Sequence, residues 1–365
     1  MDGPKQGAKH HRAVFGDAVL LWEQHTEFAT YTWQLGGVDR APFERPAAML
    51  AHAMSALPQP GPHLVSVDLH LVPDRGAPDL GTVFDPSSLA ASALSGGAVV
   101  GTDFRVGADG FVRYLVLDRG LGPPRAGALA QRLLELETYR VLALLGLPEA
   151  ARLAPGIRRV EDALARITQD MTRAEGLTAN RELLDEITAL AAAGEAEVAA
   201  SSYRFGASRA YDGIVQQRLA AIGEEPFQDY PTLAGFLLRR MAPAMRTCES
   251  LSERQAALTR RLAQAADLLR TRVDVEVEQQ NRDVLRSMNE RTRLQLRMQH
   301  TVEGLSIAAI SYYVIGLAAY VFKGAKDAGL PLDPGIATAM IVPLALVCVG
   351  LTVRRIRKHH AVDKD

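Results

Sequence analysis

Glu23, His25 and Glu27 stand at every second position of the strand-like stretch WEQHTEF, a spacing that turns all three side chains to one face of an extended chain. Two carboxylates and an imidazole converging in this way can ligate a divalent metal ion or work as an acid and a base. The same alternation is the ordinary polar face of a half-buried strand, and that plainer reading is the expected one. Walker A, Rossmann glycine, HExxH, GxSxG and paired CxxC patterns are all missing, so no catalytic residue is expected and enzyme chemistry has no positive support. No cofactor is expected beyond that divalent metal ion.

A second set of residues lies far downstream. Asn281, Asn289, Thr292, Gln295 and Gln299 make a polar, mostly uncharged helix face that leads to Glu303 just ahead of an apolar run, and Met288 of the neighbouring apolar stripe joins them as a candidate for a pore or helix interface. Uncharged amides leading into a membrane mouth suit a permeation path or a wet interface between helices. A solvated helix face explains each of them singly. Tyr312, Tyr313 and Gly316 extend the set into the apolar run, where a phenol near mid-membrane needs a partner. Gly304, Ala308, Tyr312 and Gly316 form a row of mostly small residues four apart, which permits close helix approach. Arg204, Ser208 and Tyr211 share a helical face within YRFGASRAY, and hydrogen bonding between helices accounts for them.

The elements that position these residues follow from apolar periodicity. Residues 304–322 (GLSIAAISYYVIGLAAYVF) and 336–353 (IATAMIVPLALVCVGLTV) are each free of charge and long enough to cross roughly 30 Å of hydrocarbon. Arg291, Arg293 and Arg297 precede the first span, and Arg354, Arg355, Arg357 and Lys358 follow the second. The short turn between them carries two lysines and two aspartates, so the positive-inside bias puts both termini in the cytoplasm. The first fifteen residues hold no apolar core of signal-peptide length, and insertion is expected to be directed by the C-terminal spans.

Upstream, 18–23, 28–35, 63–72, 98–106 and 111–119 read as strands, with a hairpin at 107–110, while 42–57 and 86–94 read as helices. From Pro123 the strand signal gives way to helical spacing over about 158–175, 178–222 and 230–241. No breaker follows Pro243 until Gly304, which predicts one helix from Ala244 to Phe322, roughly 118 Å long. Its apolar stripe, from Leu251 through Leu262 and Leu269 to Val284 and Met288, calls for a partner helix of coiled-coil type. The expected fold class is therefore α+β. An α/β domain with a mixed or antiparallel sheet covers 1–122 and a helical domain covers 123–243. A stalk helix covers 244–303, two transmembrane helices cover 304–353, and a basic cytoplasmic tail covers 354–365.

A chain of 365 residues, 48% hydrophobic, can bury a sizeable core, and a net charge of −1 argues against a nucleic-acid partner. Cys248 and Cys348 fall in separate segments and fit a reducing compartment.

WEQHTEFATYTW (22–33), TDFRVGADGFVRYLVLDRGL (102–121), QRLLELETYRVLALLGLP (131–148), YRFGASRAYDGIVQQRL (203–219), MAPAMRTCES (241–250) and the long run 270–317 resemble a bacterial family of uncharacterised membrane-anchored proteins, domain of unknown function 3422. Members of that family usually begin further upstream, so the resemblance implies a missing or divergent N-terminal segment. The layout, and residues 307–324 locally, are also similar to the CorA-type divalent-metal channels, which are pentamers. Phe322-Lys323-Gly324 stands where those channels carry Gly-Met-Asn, which puts magnesium selectivity in doubt. The resemblance implies a homo-oligomeric inner-membrane protein, an ion channel or transporter in contact with membrane lipid. A membrane-anchored cytoplasmic scaffold or sensor is the alternative.

Overall fold

A computed structural model describes residues 5, 7–36, 41–44, 54–55, 57, 61–75, 77–328, 331 and 333–362, with side chains described up to residue 352. The chain is α+β and divides into two compact units, Met1–Ala174 with Glu182–Leu269, and Glu175–Arg181 with Arg270–Asp365.

The first unit holds two sheets. Strands β1 (His10–Phe15), β2 (Ala18–Gln24) and β3 (Ala29–Leu35) form an antiparallel meander. Strands β4 (Val67–Pro73), β5 (Ala90–Leu94), β6 (Ala98–Thr102), β7 (Val112–Asp118) and β8 (Glu224–Pro226) form a mixed sheet in the order β4-β7-β6-β5-β8, in which only β4 and β7 run parallel. A one-turn helix, α1 (Leu80–Val83), precedes β5.

Four long helices begin in this unit or cross it: α2 (Pro123–Leu144), α3 (Gly146–Met171), α4 (Leu177–Ile222) and α5 (Leu233–Asp327). One face of the mixed sheet packs on α2, α4 and α5 through Val100, Tyr114, Leu133, Val215 and Leu237, and the other closes over Leu80, Phe84, Leu89 and Leu115. Covered on both faces, β6 is buried along its whole length, which is why AVVGT reads as a continuous apolar run. This shared core joins the regions 1–122 and 123–243 into one unit.

Two expected elements differ. Residues 86–94 are a turn followed by β5, because a strand buried on both faces takes the small residues Ala90, Ala91 and Ser92, and the helix preference of the alanines yields to packing. The long helix begins at Leu233 and carries Pro243 inside it. Its start is fixed on the sheet: the Ser92 hydroxyl accepts from the Leu233 amide at 3.1 Å, and Glu224 Oε1 accepts from the Ala234 amide at 2.8 Å, satisfying donors that a helix start leaves open. Most of the expected helix 42–57 lies outside the described residues.

The first half of the α5 stripe finds its partner within the chain. Cys248, Leu251, Leu258, Leu262 and Leu269 pack on Ala150, Leu153, Ile157 and Ile167 of α3 and on Ile187 and Phe205 of α4. Where α2 gives way to α3, a Cβ on Gly146 would stand 2.6 Å from Ser208 Oγ and 3.1 Å from Cys248 Sγ. Gly146→Ala is expected to destabilise the full chain by about 1–3 kcal/mol, read as a lower denaturation midpoint in detergent. Adding Ser208→Ala is expected to recover part of that loss, since it removes the nearest atom. Unchanged stability of the single variant would show that the helices separate freely there.

The second unit contains the rest of α5 and the helix α6 (Pro334–Val362). Both helices are long and apolar enough to cross a membrane. Their apolar windows have mean hydropathies of 1.9 and 2.2, and only 6% of each is buried. The core helix of a soluble protein would be mostly covered.

Candidate functional site

From Glu278 to Val302 every side chain of the long helix is exposed. Asn281, Met288, Thr292, Gln295 and Gln299 are all exposed, and Glu303 is half-buried. At about 100° per residue, Val277, Asn281, Val284, Met288, Thr292, Gln295, Gln299, Glu303 and Ser306 stay within about 100° of arc. Their mean spacing is close to 3.6 residues, so the line runs straight along the helix where a 3.5-residue repeat would wind. Thr292 Oγ1 donates to the Met288 carbonyl at 2.9 Å and Ser306 Oγ to the Val302 carbonyl at 2.9 Å. With their protons held by the helix, both hydroxyls present lone pairs outward. Glu303 Oε2 lies 3.6 Å from His300 Nδ1 at the foot of the line.

Inside the apolar segment the same arc continues through Ile310, Tyr313 and Leu317. Tyr312 falls about 130° and Gly316 about 90° from its centre, so of the three candidates there only Tyr313 shares the line. Tyr312 and Tyr313 meet edge-on with ring centroids 6.0 Å apart, and both are exposed. Ser311 lies well off the line. It is buried, and its hydroxyl has no hydrogen-bond partner among the described residues.

The triplet near the N-terminus is not one strand face. Strand β2 ends at Gln24 and β3 starts at Ala29, so His25 and Glu27 lie in the turn and only Glu23 lies in a strand. The chain reverses because the His25 amide donates to the Phe28 carbonyl at 2.8 Å. Glu27 turns to the helices: Oε1 accepts from Arg204 Nη2 and Oε2 from the Tyr211 hydroxyl, each at 2.6 Å. His25 stacks on Phe28 with centroids 4.3 Å apart, and Phe28 packs edge-on against Tyr139 and Tyr211. Burial and the hydrogen bond to the Glu27 carboxylate push the Tyr211 phenol well above its ordinary range. This constellation latches the meander onto α2 and α4. Its carboxylate is committed to a guanidinium, and no group of three or more metal-ligating side chains occurs among the described residues.

Arg204 and Tyr211 thus do share one face, with a turn as their partner where another helix was expected. Glu27→Ala is expected to cost about 2–3 kcal/mol locally, because it removes two hydrogen bonds to a charged group. Hydrogen exchange checks this: amides of 10–35 should exchange faster while those of 98–118 keep their protection. Equal protection of the meander in the variant would mean that the latch holds nothing.

Taken together, the fold and this line define an α+β protein with two membrane-capable helices, the first of which also carries an exposed, mostly uncharged face. The chain belongs to the family of proteins of unknown function DUF3422, whose model matches residues 1–360. No curated protein matches the chain. No solved structure matches it either.

Proposed function

We propose that this protein is a homo-oligomer of the bacterial inner membrane, with both termini cytoplasmic, in which the line from Asn281 to Ser306 surrounds an axis that conducts a cation. The observation that carries this reading is the line itself: exposed, uncharged over most of its length, straight, and continuous with the first span. Amide oxygens and outward hydroxyl lone pairs are the groups that replace the water around a cation. A single copy leaves Val284 and Met288 on the line, and Leu285, Leu294, Leu296 and Met298 elsewhere on the same stretch of helix, more than half exposed, which favours contact with further copies. A pentamer would follow from the CorA-like layout. Divalent ions are the first to test, although the outer turn gives no reason for magnesium selectivity.

The rival reading is a membrane-anchored scaffold or sensor that transports nothing. It is favoured by Ile310 and Leu317, which make the line apolar inside the span and suit a dry helix interface. Native mass of the detergent-purified full chain and cation flux into liposomes separate the two. The channel reading requires a ring of copies and flux that a bulky thiol label at Gln299→Cys blocks. A ring without flux supports the rival, and a monomer defeats both the axis and the oligomer.

A further inference from the structure

Helices α5 and α6 together line an open cavity of about 760 Å³ at the end of the pair that carries the connecting turn. Ala319 and Val342 contribute apolar wall on the side of the spans, and Lys323, Lys326, Asp327 and Thr338 supply its polar groups. Lys323, Lys326 and Asp327 are exposed, and none of them makes an ion pair with another described residue. Thr338 Oγ1 donates to the Pro334 carbonyl at 2.6 Å, so the hydroxyl can only accept from a ligand. The first amides of α6 are not open to an anion: Asp333 Oδ1 accepts from Gly335 at 2.8 Å and Ile336 at 3.3 Å.

These groups divide into two kinds of recognition. Two ammonium groups are donors for a phosphate, while a carboxylate and an accepting hydroxyl are partners for a cation that carries N–H. A purely anionic headgroup would bring no cationic group to Asp327. A quaternary ammonium has no proton to give Thr338. We infer that this cavity binds the phosphoethanolamine headgroup of a membrane lipid, with the phosphate between Lys323 and Lys326 and the primary ammonium on Asp327 and Thr338. The apolar wall then runs on toward the acyl chains.

The inference rests on the membrane placement proposed above, but not on conduction or oligomer size. Flotation of the full chain with phosphatidylcholine vesicles tests that placement alone, and a chain that stays in the soluble fraction overturns both. Given flotation, native mass spectrometry of the detergent-purified chain with phosphatidylethanolamine, phosphatidylcholine or phosphatidylglycerol added at equal concentration tests the site. Retention of phosphatidylethanolamine is expected to exceed that of phosphatidylcholine by about tenfold, the effect of one hydrogen bond to a charged group. The pair Lys323→Gln and Lys326→Gln should lower retention of all three lipids, which share the phosphate, and Lys323→Arg with Lys326→Arg should keep it. Asp327→Asn should remove the preference over phosphatidylglycerol without lowering phosphatidylglycerol retention. Equal retention of the three lipids, indifference to Asp327→Asn, or equally strong binding of soluble glycerophosphoethanolamine would each overturn the assignment.

Discussion

Glu137→Ala is expected to destabilise the first compact unit by about 3–5 kcal/mol, because it leaves a largely buried guanidinium without its carboxylate. Glu137 is fully buried on α2. Its Oε2 accepts from Arg140 Nε at 2.8 Å and from the Tyr114 hydroxyl at 3.2 Å, and its Oε1 accepts from Arg140 Nη2 at 2.5 Å. Arg140 also lies 5.7 Å from the centroid of the Phe104 ring. Burial and the neighbouring carboxylate hold the Tyr114 phenol protonated, and the carboxylate in turn keeps Arg140 charged against its own desolvation. Chemical denaturation of the full chain in detergent, followed by fluorescence, reads the loss. Replacing both partners, Glu137→Leu with Arg140→Met, should restore most of it, since shape is kept and no charge is stranded. A single variant as stable as the parent would mean that water reaches Arg140 when the carboxylate is removed.

Leu269→Pro should have an effect of similar size by another route. The ring removes a backbone hydrogen bond and meets the preceding turn at a cost of about 3 kcal/mol or more, and the fully buried leucine leaves the core it shares with α3 and α4. The expected outcome is lower helicity by circular dichroism and, if the proposed oligomer forms, its loss by native mass. Pro243 lies inside the same helix without ending it, so a proline alone is not sufficient to break α5. Unchanged helicity and oligomer size in the variant would show that Leu269 is another such tolerant position.

The two membrane-capable helices and the unbroken helix that leads into the first were legible because each depends on one local pattern. Eighteen or more residues without charge have few soluble uses, and spacing near 3.6 residues survives whatever the helix packs against. The strand at 90–94 was not legible, since Ala-Ala-Ser-Ala-Leu carries helix-forming residues and becomes a strand only between two neighbours already in a sheet. Nothing in LLELETYR sets Glu137 apart from Glu135; its burial depends on Tyr114, which lies in a strand, and on Arg140 folding back over it. Glu27 was found for its chemistry but assigned the wrong geometry. Alternation over WEQHTEF hides the reversal after Gln24, and the partners of Glu27 lie some 180 residues downstream.

Thiol accessibility along the start of the apolar segment of α5 tells whether water follows the line into the membrane. Single cysteines from Gln295 to Leu317, in a chain with Cys248 and Cys348 replaced, would be probed with a membrane-impermeant reagent that needs water to react. The account predicts labelling that follows the line into the membrane, strong at Gln299, Ser306, Ile310 and Tyr313 and weak at Ser311 and Tyr312, with a repeat of about 3.6 residues. Labelling that stops near Glu303, or that reaches Tyr312 as readily as Tyr313, would contradict a water-filled axis bounded by this face of α5.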